Sequence, residues 1–205
     1  MNYLAHVFLS HETPDAVTGA LLGDFVKGRA PERWGAAVRH AILLHRAIDR
    51  YTDGHAVVCA SRALISPERR RFAGILVDIF YDHFLARHWS RFCAQPLTNF
   101  TGDIYRLLLP RRASLPERLR HILPYMAADD WLASYAEVSA VDAALNGMTR
   151  RFRNPPRAQP LASGAVELAL HYPRFEAQFL EFFPQVQDFV ATQPAPLPTP
   201  MAGAA

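Results

Sequence analysis

Apolar residues recur along this chain at the three-and-four spacing of helices, and no stretch alternates as a half-buried strand would. Proline and glycine divide the pattern into segments. A first helix is expected over residues 2–11, and a second from Pro14-Asp15 to between Asp24 and Gly28. Pro31-Glu32 opens a third that runs to about Thr52, because proline in a first helical turn is pre-organised and gives up no hydrogen bond. A short helix follows over residues 56–65. Ser66-Pro67-Glu68 then reads as a start signal, serine as the cap and proline just inside, for a helix reaching Phe92. Shorter helices are expected near residues 99–109, 116–126, 129–135 and 140–153, and a last region over 165–190, broken or kinked near Pro173 and Pro184. The Pro- and Ala-rich stretch 193–205 reads as a disordered tail. With no internal repeat and no second core, the pattern predicts an all-α fold: a single compact helical domain over residues 1–192.

Composition narrows the class. Half of the 205 residues are hydrophobic and a fifth are charged, which is globular rather than disordered or coiled-coil. The formal charge is only +3, and Lys27 is the sole lysine among 22 basic residues. That balance does not imply nucleic acid, but guanidinium groups suit carboxylates and phosphates. Two cysteines, Cys59 and Cys93, are too few for a disulfide scaffold or a thiolate zinc site. No stretch approaches the roughly 20 apolar residues that span a bilayer, and the first residues lack the features of a signal peptide. A soluble cytoplasmic protein with no membrane or nucleic-acid partner is expected.

The candidate chemistry lies where charge interrupts apolar runs. Between Phe72 and Leu85 apolar residues fall at nearly every angle around the helix axis, as in a helix at the middle of a domain. Asp78, Asp82 and His83 sit inside that run, and Asp78 and Asp82, four apart, share a face. Buried carboxylates side by side cost several kcal/mol each unless compensated, so something positive must face them. His45 and Asp49 are likewise four apart in an apolar stretch, either as a ligand pair or as a ligand and its orienter. Asp24 and His6 interrupt two further apolar runs. Each feature has a structural reading as a cap, a satisfied core histidine or an ion pair. Together they favour a divalent metal site, and oxygen and imidazole donors without thiolate suit Mn²⁺, Mg²⁺ or Fe²⁺.

Other motifs fail. Gly23–Ala30 is a near miss for a phosphate-binding P-loop, with arginine and alanine at its key positions and a helix before it. There is no G-x-S-x-G, H-E-x-x-H, G-x-G-x-x-G or E-x-x-H. Arginines cluster at 69–71, at 111–112 with 118 and 120, and at 150–153; they could offer a docking surface to an acidic protein.

Several stretches resemble the acyl carrier protein phosphodiesterase family: Asn2-Tyr3-Leu4-Ala5-His6, Leu22-Gly23-Asp24-Phe25-Val26-Lys27-Gly28, residues 45–53, residues 78–89 and Leu145-Asn146-Gly147-Met148. The resemblance covers nearly the whole chain up to the tail. It implies an all-helical, HD-domain-like metal-dependent phosphohydrolase. Such an enzyme removes 4′-phosphopantetheine from holo acyl carrier protein, an acidic partner, with Mn²⁺ as the usual cofactor. The adjacent pair here is Asp82-His83, the reverse of the usual His-Asp order, so a permuted ligand set of Asp24, His45, Asp82 and His83 is expected, with Asp49 and Asp78 as alternatives or supports. In that scheme Asp24 is ligand or general base. His6 protonates the leaving serine oxygen or positions the water, and Lys27 and Arg46 bind the phosphate. The rival readings are an HD-like hydrolase of a nucleotide or other small phosphodiester, and a helical module that binds an acidic protein without chemistry.

Overall fold

The computed structural model describes residues 1–10, 13–150, 152 and 154–194. The chain enters through α1 (Tyr3–Ser10) and α2 (Pro14–Leu22), then α3 (Ala36–Gly54), α4 (Ala56–Leu64) and α5 (Ala73–Arg87). It continues through α6 (Leu97–Leu108), α7 (Glu117–Ala128), α8 (Trp131–Ser134), α9 (Val138–Thr149), α10 (Pro155–Ala162), α11 (Ala165–Leu170) and α12 (Tyr172–Ala191). No strand occurs among the described residues, and one continuous apolar core runs through them. The fold is a single all-α domain. The tail expected from residue 193 lies, from residue 195 onward, outside the described residues, as do His11, Arg151 and Arg153.

α5 is the axis of the molecule. Eleven of its fifteen residues are buried, the consequence of its all-round apolar sequence. α12 covers it with Phe175, Phe179, Phe182 and Phe183, all fully buried; Phe80 and Tyr81 meet that row edge-on or tilted, and Phe84 stacks on Phe179. Each such ring contributes about 2–3 kcal/mol relative to an exposed one.

Several boundaries differ from those expected. The helix anticipated from Ser66 to Phe92 is a 3₁₀ turn over Pro67–Phe72, then α5, then a second 3₁₀ turn over Trp89–Arg91. Ser66 stands at the cap position but makes no side-chain cap bond; its hydroxyl donates to the buried Glu167 carboxylate, which Arg69 also meets at 3.2 Å. α3 begins at Ala36 rather than at Pro31, because Trp34 turns into the core and Gly35 takes the cap position. Pro173 does divide the last region, standing in the first turn of α12, whereas Pro184 lies inside α12 without ending it. α10 was not expected; its opening Pro155-Pro156 disguises a helix start as a loop.

α2 and α3 touch backbone to backbone. A Cβ on Gly19 would fall 2.4 Å from the Val38 carbonyl oxygen and 2.5 Å from Ala41 Cβ. This contact brings the turn after α2, residues 23–25, over the middle of α3, where His45 and Asp49 lie.

Candidate metal centre

α1 and α3 place three groups together. His6 Nε2 stands 3.0 Å from Asp49 Oδ1, and His45 Nε2 stands 3.2 Å from Asp49 Oδ2 across one turn of α3. The two imidazoles stack with ring centroids 3.6 Å apart and planes 15° from parallel. One nitrogen of each ring and one oxygen of Asp49 lie within 4.8 Å of one another, a spacing that a single cation can bridge.

The hydrogen bonds behind these groups suit ligation. His45 Nδ1 donates to the Ala20 carbonyl at 2.7 Å, which fixes the ring and directs Nε2 at Asp49 and at Asp24 Oδ1, 3.8 Å away. A ring whose proton is on Nδ1 offers only a lone pair at Nε2. A lone pair facing two carboxylates requires an electropositive centre between them, a proton or a metal ion. Backbone-oriented histidine of this kind is the usual support of a metal ligand. His6 Nδ1 is buried without a partner, and its Nε2 also lies 3.1 Å from the Met1 carbonyl oxygen. The donor set, two imidazoles with carboxylates and no thiolate, fits Mn²⁺, Mg²⁺ or Fe²⁺.

Charge is concentrated here. The Met1 ammonium lies 3.1 Å from Asp78 Oδ1 and 3.5 Å from Asp49 Oδ1; burial opposes its charge, but Asp78 and Asp49 outweigh that and raise its pKa. Burial also works against the Asp49 carboxylate, yet the adjoining His45 and His6 rings hold it well below the usual carboxylate range. His6 is fully buried, which pushes its pKa down to about 3 against the pull of Asp49, so its ring is neutral at ordinary pH. Desolvation raises Asp24, with His45 opposing, although the Asp24 side chain is still 41% exposed. Asp24 and Asp78 open onto a cleft of about 460 Å³ that Met1, Phe25 and Arg118 also line.

The pair Asp82-His83 is not part of this cluster. Asp82 Oδ2 accepts the Leu4 N–H at 2.8 Å and Oδ1 accepts the Ala5 N–H at 3.1 Å. Its carboxylate therefore occupies the N-terminus of α1, where helix donors are unpaired and the dipole favours negative charge. Burial still pushes its pKa up to about 7 against those two bonds. His83 Nδ1 donates to the Tyr135 carbonyl at 2.8 Å and Nε2 accepts from the Tyr172 hydroxyl at 2.9 Å, leaving no free nitrogen. The permuted ligand order expected from sequence is revised accordingly: Asp82 and His83 are engaged elsewhere.

His6 also has a different place from the one expected. It lies beneath Asp49, neutral and fully buried with Nε2 facing Asp49 Oδ1, and so stands with the ligand candidates rather than as a proton donor to a leaving group. Arg46 Nη2 donates to the Val26 carbonyl at 2.5 Å and so ties down the loop after Asp24, while Lys27 is exposed on that loop; neither lines the cleft. Arg118 does line it, and sequence reasoning had placed that residue only in a basic cluster.

The comparisons agree with this architecture in extent. Residues 1–186 match the family model described as acyl carrier protein phosphodiesterase. The chain is 37% identical over 187 residues to a protein of that name from Serratia proteamaculans, covering 91% of this chain and 95% of the relative. It is 35% identical to one from Klebsiella pneumoniae over the same shares, and 34% identical to one from Escherichia coli O6:H1 over 92% of this chain and 96% of that one. No solved structure matches it significantly. A match spanning α1 through most of α12, with relatives at 35–37% identity over 91% of the chain, establishes that the chain belongs to the acyl carrier protein phosphodiesterase family.

Proposed function

We propose that this chain hydrolyses the phosphodiester that joins 4′-phosphopantetheine to a serine of holo acyl carrier protein, leaving the apo protein. The observation that carries the metal-dependent form of this reading is the convergence of His6, His45 and Asp49 beside a polar cleft. His6, His45 and Asp49 would hold a divalent cation, Mn²⁺ in the first instance and Mg²⁺ or Fe²⁺ as alternatives, and Asp24 and Asp78 line the adjoining cleft. Such a cation supplies a bound water of lowered pKa and neutralises charge on the phosphodiester oxygens.

The chain's own residues do the rest. Asp24, partly exposed at the cleft and 3.8 Å from His45 Nε2, takes a proton from the attacking water. The Ala20 carbonyl keeps the His45 ring fixed, and the neutral His6 ring packed on it excludes solvent from behind. Arg46 holds the loop that carries Asp24. No described helix is long and apolar enough to cross a membrane, and both cysteines are free; we place the activity in the cytoplasm. Intact mass spectrometry of holo carrier protein incubated with this protein and Mn²⁺ tests the reading. Loss of the arm, blocked by a chelator, is expected. An unchanged mass overturns the hydrolase, and release that persists in chelator overturns the metal.

A further inference from the structure

A second hollow, of about 550 Å³, opens beside the cleft. It is lined by Arg112, Glu117, Arg118, Arg120, His121 and Ile122, from the turn before α7 and the first turns of α7. Arg118 belongs to both: it lines this hollow and the cleft that holds Asp24 and Asp78. Its guanidinium stands 5.7 Å over the ring of Phe25, the neighbour of Asp24 in sequence.

Arg112, Arg118 and Arg120 are exposed, and among the described residues none of them forms an ion pair. In the other described arginine cluster only Arg69 is neutralised by carboxylates, and none of its arginines lines the cleft or the hollow. Arg69 pairs with Glu167 and Glu68, Arg70 donates to the Ile65 carbonyl, and Arg71 lies over Phe72. Arg111, next to Arg112, is likewise consumed by Asp15 at 2.7 Å. The guanidinium groups of Arg112, Arg118 and Arg120, none of them paired with a carboxylate among the described residues, thus form a positive track that ends in the cleft.

Building on the hydrolase reading above, we propose that this track is the docking face for the acidic carrier protein, and that Arg118 grips the phosphodiester where the track enters the cleft. Arg112 and Arg120 meet carboxylates of the carrier and set the encounter rate and partner choice. Arg118, with a planar fork of donors, suits the two non-bridging phosphate oxygens. The two jobs separate kinetically: docking residues act on KM, and a phosphate grip that strengthens as charge develops acts on kcat.

The test is steady-state release from holo carrier protein with Mn²⁺, at low and high salt. Arg112→Glu/Arg120→Glu is expected to raise KM by about tenfold or more, with kcat within about twofold and an unchanged melting temperature. Arg118→Gln is expected to lower kcat by about tenfold or more. Arg174→Glu, an exposed arginine on α12, serves as a control that changes neither. Because Arg112 Nε donates to the Arg120 carbonyl, Arg120→Glu alone is the second variant should the double one fail to fold, with a KM rise of about threefold. Unchanged KM in the folded charge-reversed variant overturns the docking face, and unchanged kcat in Arg118→Gln overturns the grip. Wild-type protein that releases no arm overturns the hydrolase reading and the docking face together, an outcome distinct from either.

Discussion

Gly23 is the seat of the His45 ring. A Cβ at position 23 would lie 2.2 Å from His45 Cγ and 2.3 Å from its Cδ2, so imidazole and side chain cannot coexist there. Glycine is needed in this turn for room, and not for backbone freedom, since its φ is −50°.

Gly23→Ala is therefore expected to tilt His45 away from Asp49 and Asp24. Displacing a packed ring costs about 1–3 kcal/mol of stability, and disturbing the orientation of a ligand lowers metal affinity or activity by about 10- to 100-fold. Calorimetric titration with Mn²⁺ and a thermal melt measure the two effects. A variant with wild-type affinity would show that His45 does not need its present orientation.

Asp49 bridges both imidazoles, so Asp49→Asn should remove cation binding and arm release while the helical circular dichroism persists. Asp24→Ala should abolish release but keep most of the binding, because Asp24 is 3.8 Å from His45 and partly exposed. Elemental analysis and carrier-protein mass give the readouts. Full release by Asp24→Ala would remove that carboxylate from the reaction.

Asp82 holds α1 by two bonds to backbone donors. Asp82→Asn sets an amide N–H against one of those donors and loses a charge-assisted bond. The expected cost is about 2–3 kcal/mol, or a fall in melting temperature of roughly 4–12 °C for a domain of this size. Release should fall too, since α1 carries His6. A melt unchanged within a degree or so would mean that α1 is anchored by packing alone.

The pH dependence of stability has a definite sign at His6. Its folded pKa is about 3, below the ordinary histidine value, because burial disfavours the charged ring. The unfolded chain then binds more protons between about pH 6.5 and 3, and the native state loses stability as pH falls through that window. Asp82, raised to about 7, acts the other way and costs stability as pH climbs from about 4 to 7. His6→Gln keeps an N–H donor but removes the titration. Urea unfolding in chelator at pH 5, 6 and 7 should therefore show a slope that differs between wild type and variant by up to about 1.4 kcal/mol per pH unit. Parallel slopes would place a proton on His6 in the native protein.

The sequence made part of this visible. Apolar residues on every side of α5 announced that Asp82 and His83 are buried, and the i, i+4 spacing of His45 and Asp49 announced their contact. Of the two α5 carboxylates expected to face something positive, Asp78 does so. What spacing could not show was the partner: Asp78 meets the Met1 ammonium, and Asp82 meets backbone N–H groups, which have no side-chain signature. The membership of Asp49 and His6 in one cluster depends on α1 crossing α3, a tertiary fact. Arg118 was hidden for the same reason, since its neighbours Phe25 and Asp24 are far from it in sequence.

The anchor of α1 has a temporal meaning. Leu4 and Asp82 are 78 positions apart, so on the ribosome the segment bearing His6 is made long before the carboxylate that fixes it. A nascent chain stopped short of α5 carries both imidazoles without a scaffold to set them face to face. The seating of the first helix, and with it the meeting of the two imidazoles, thus waits until the central helix has been made.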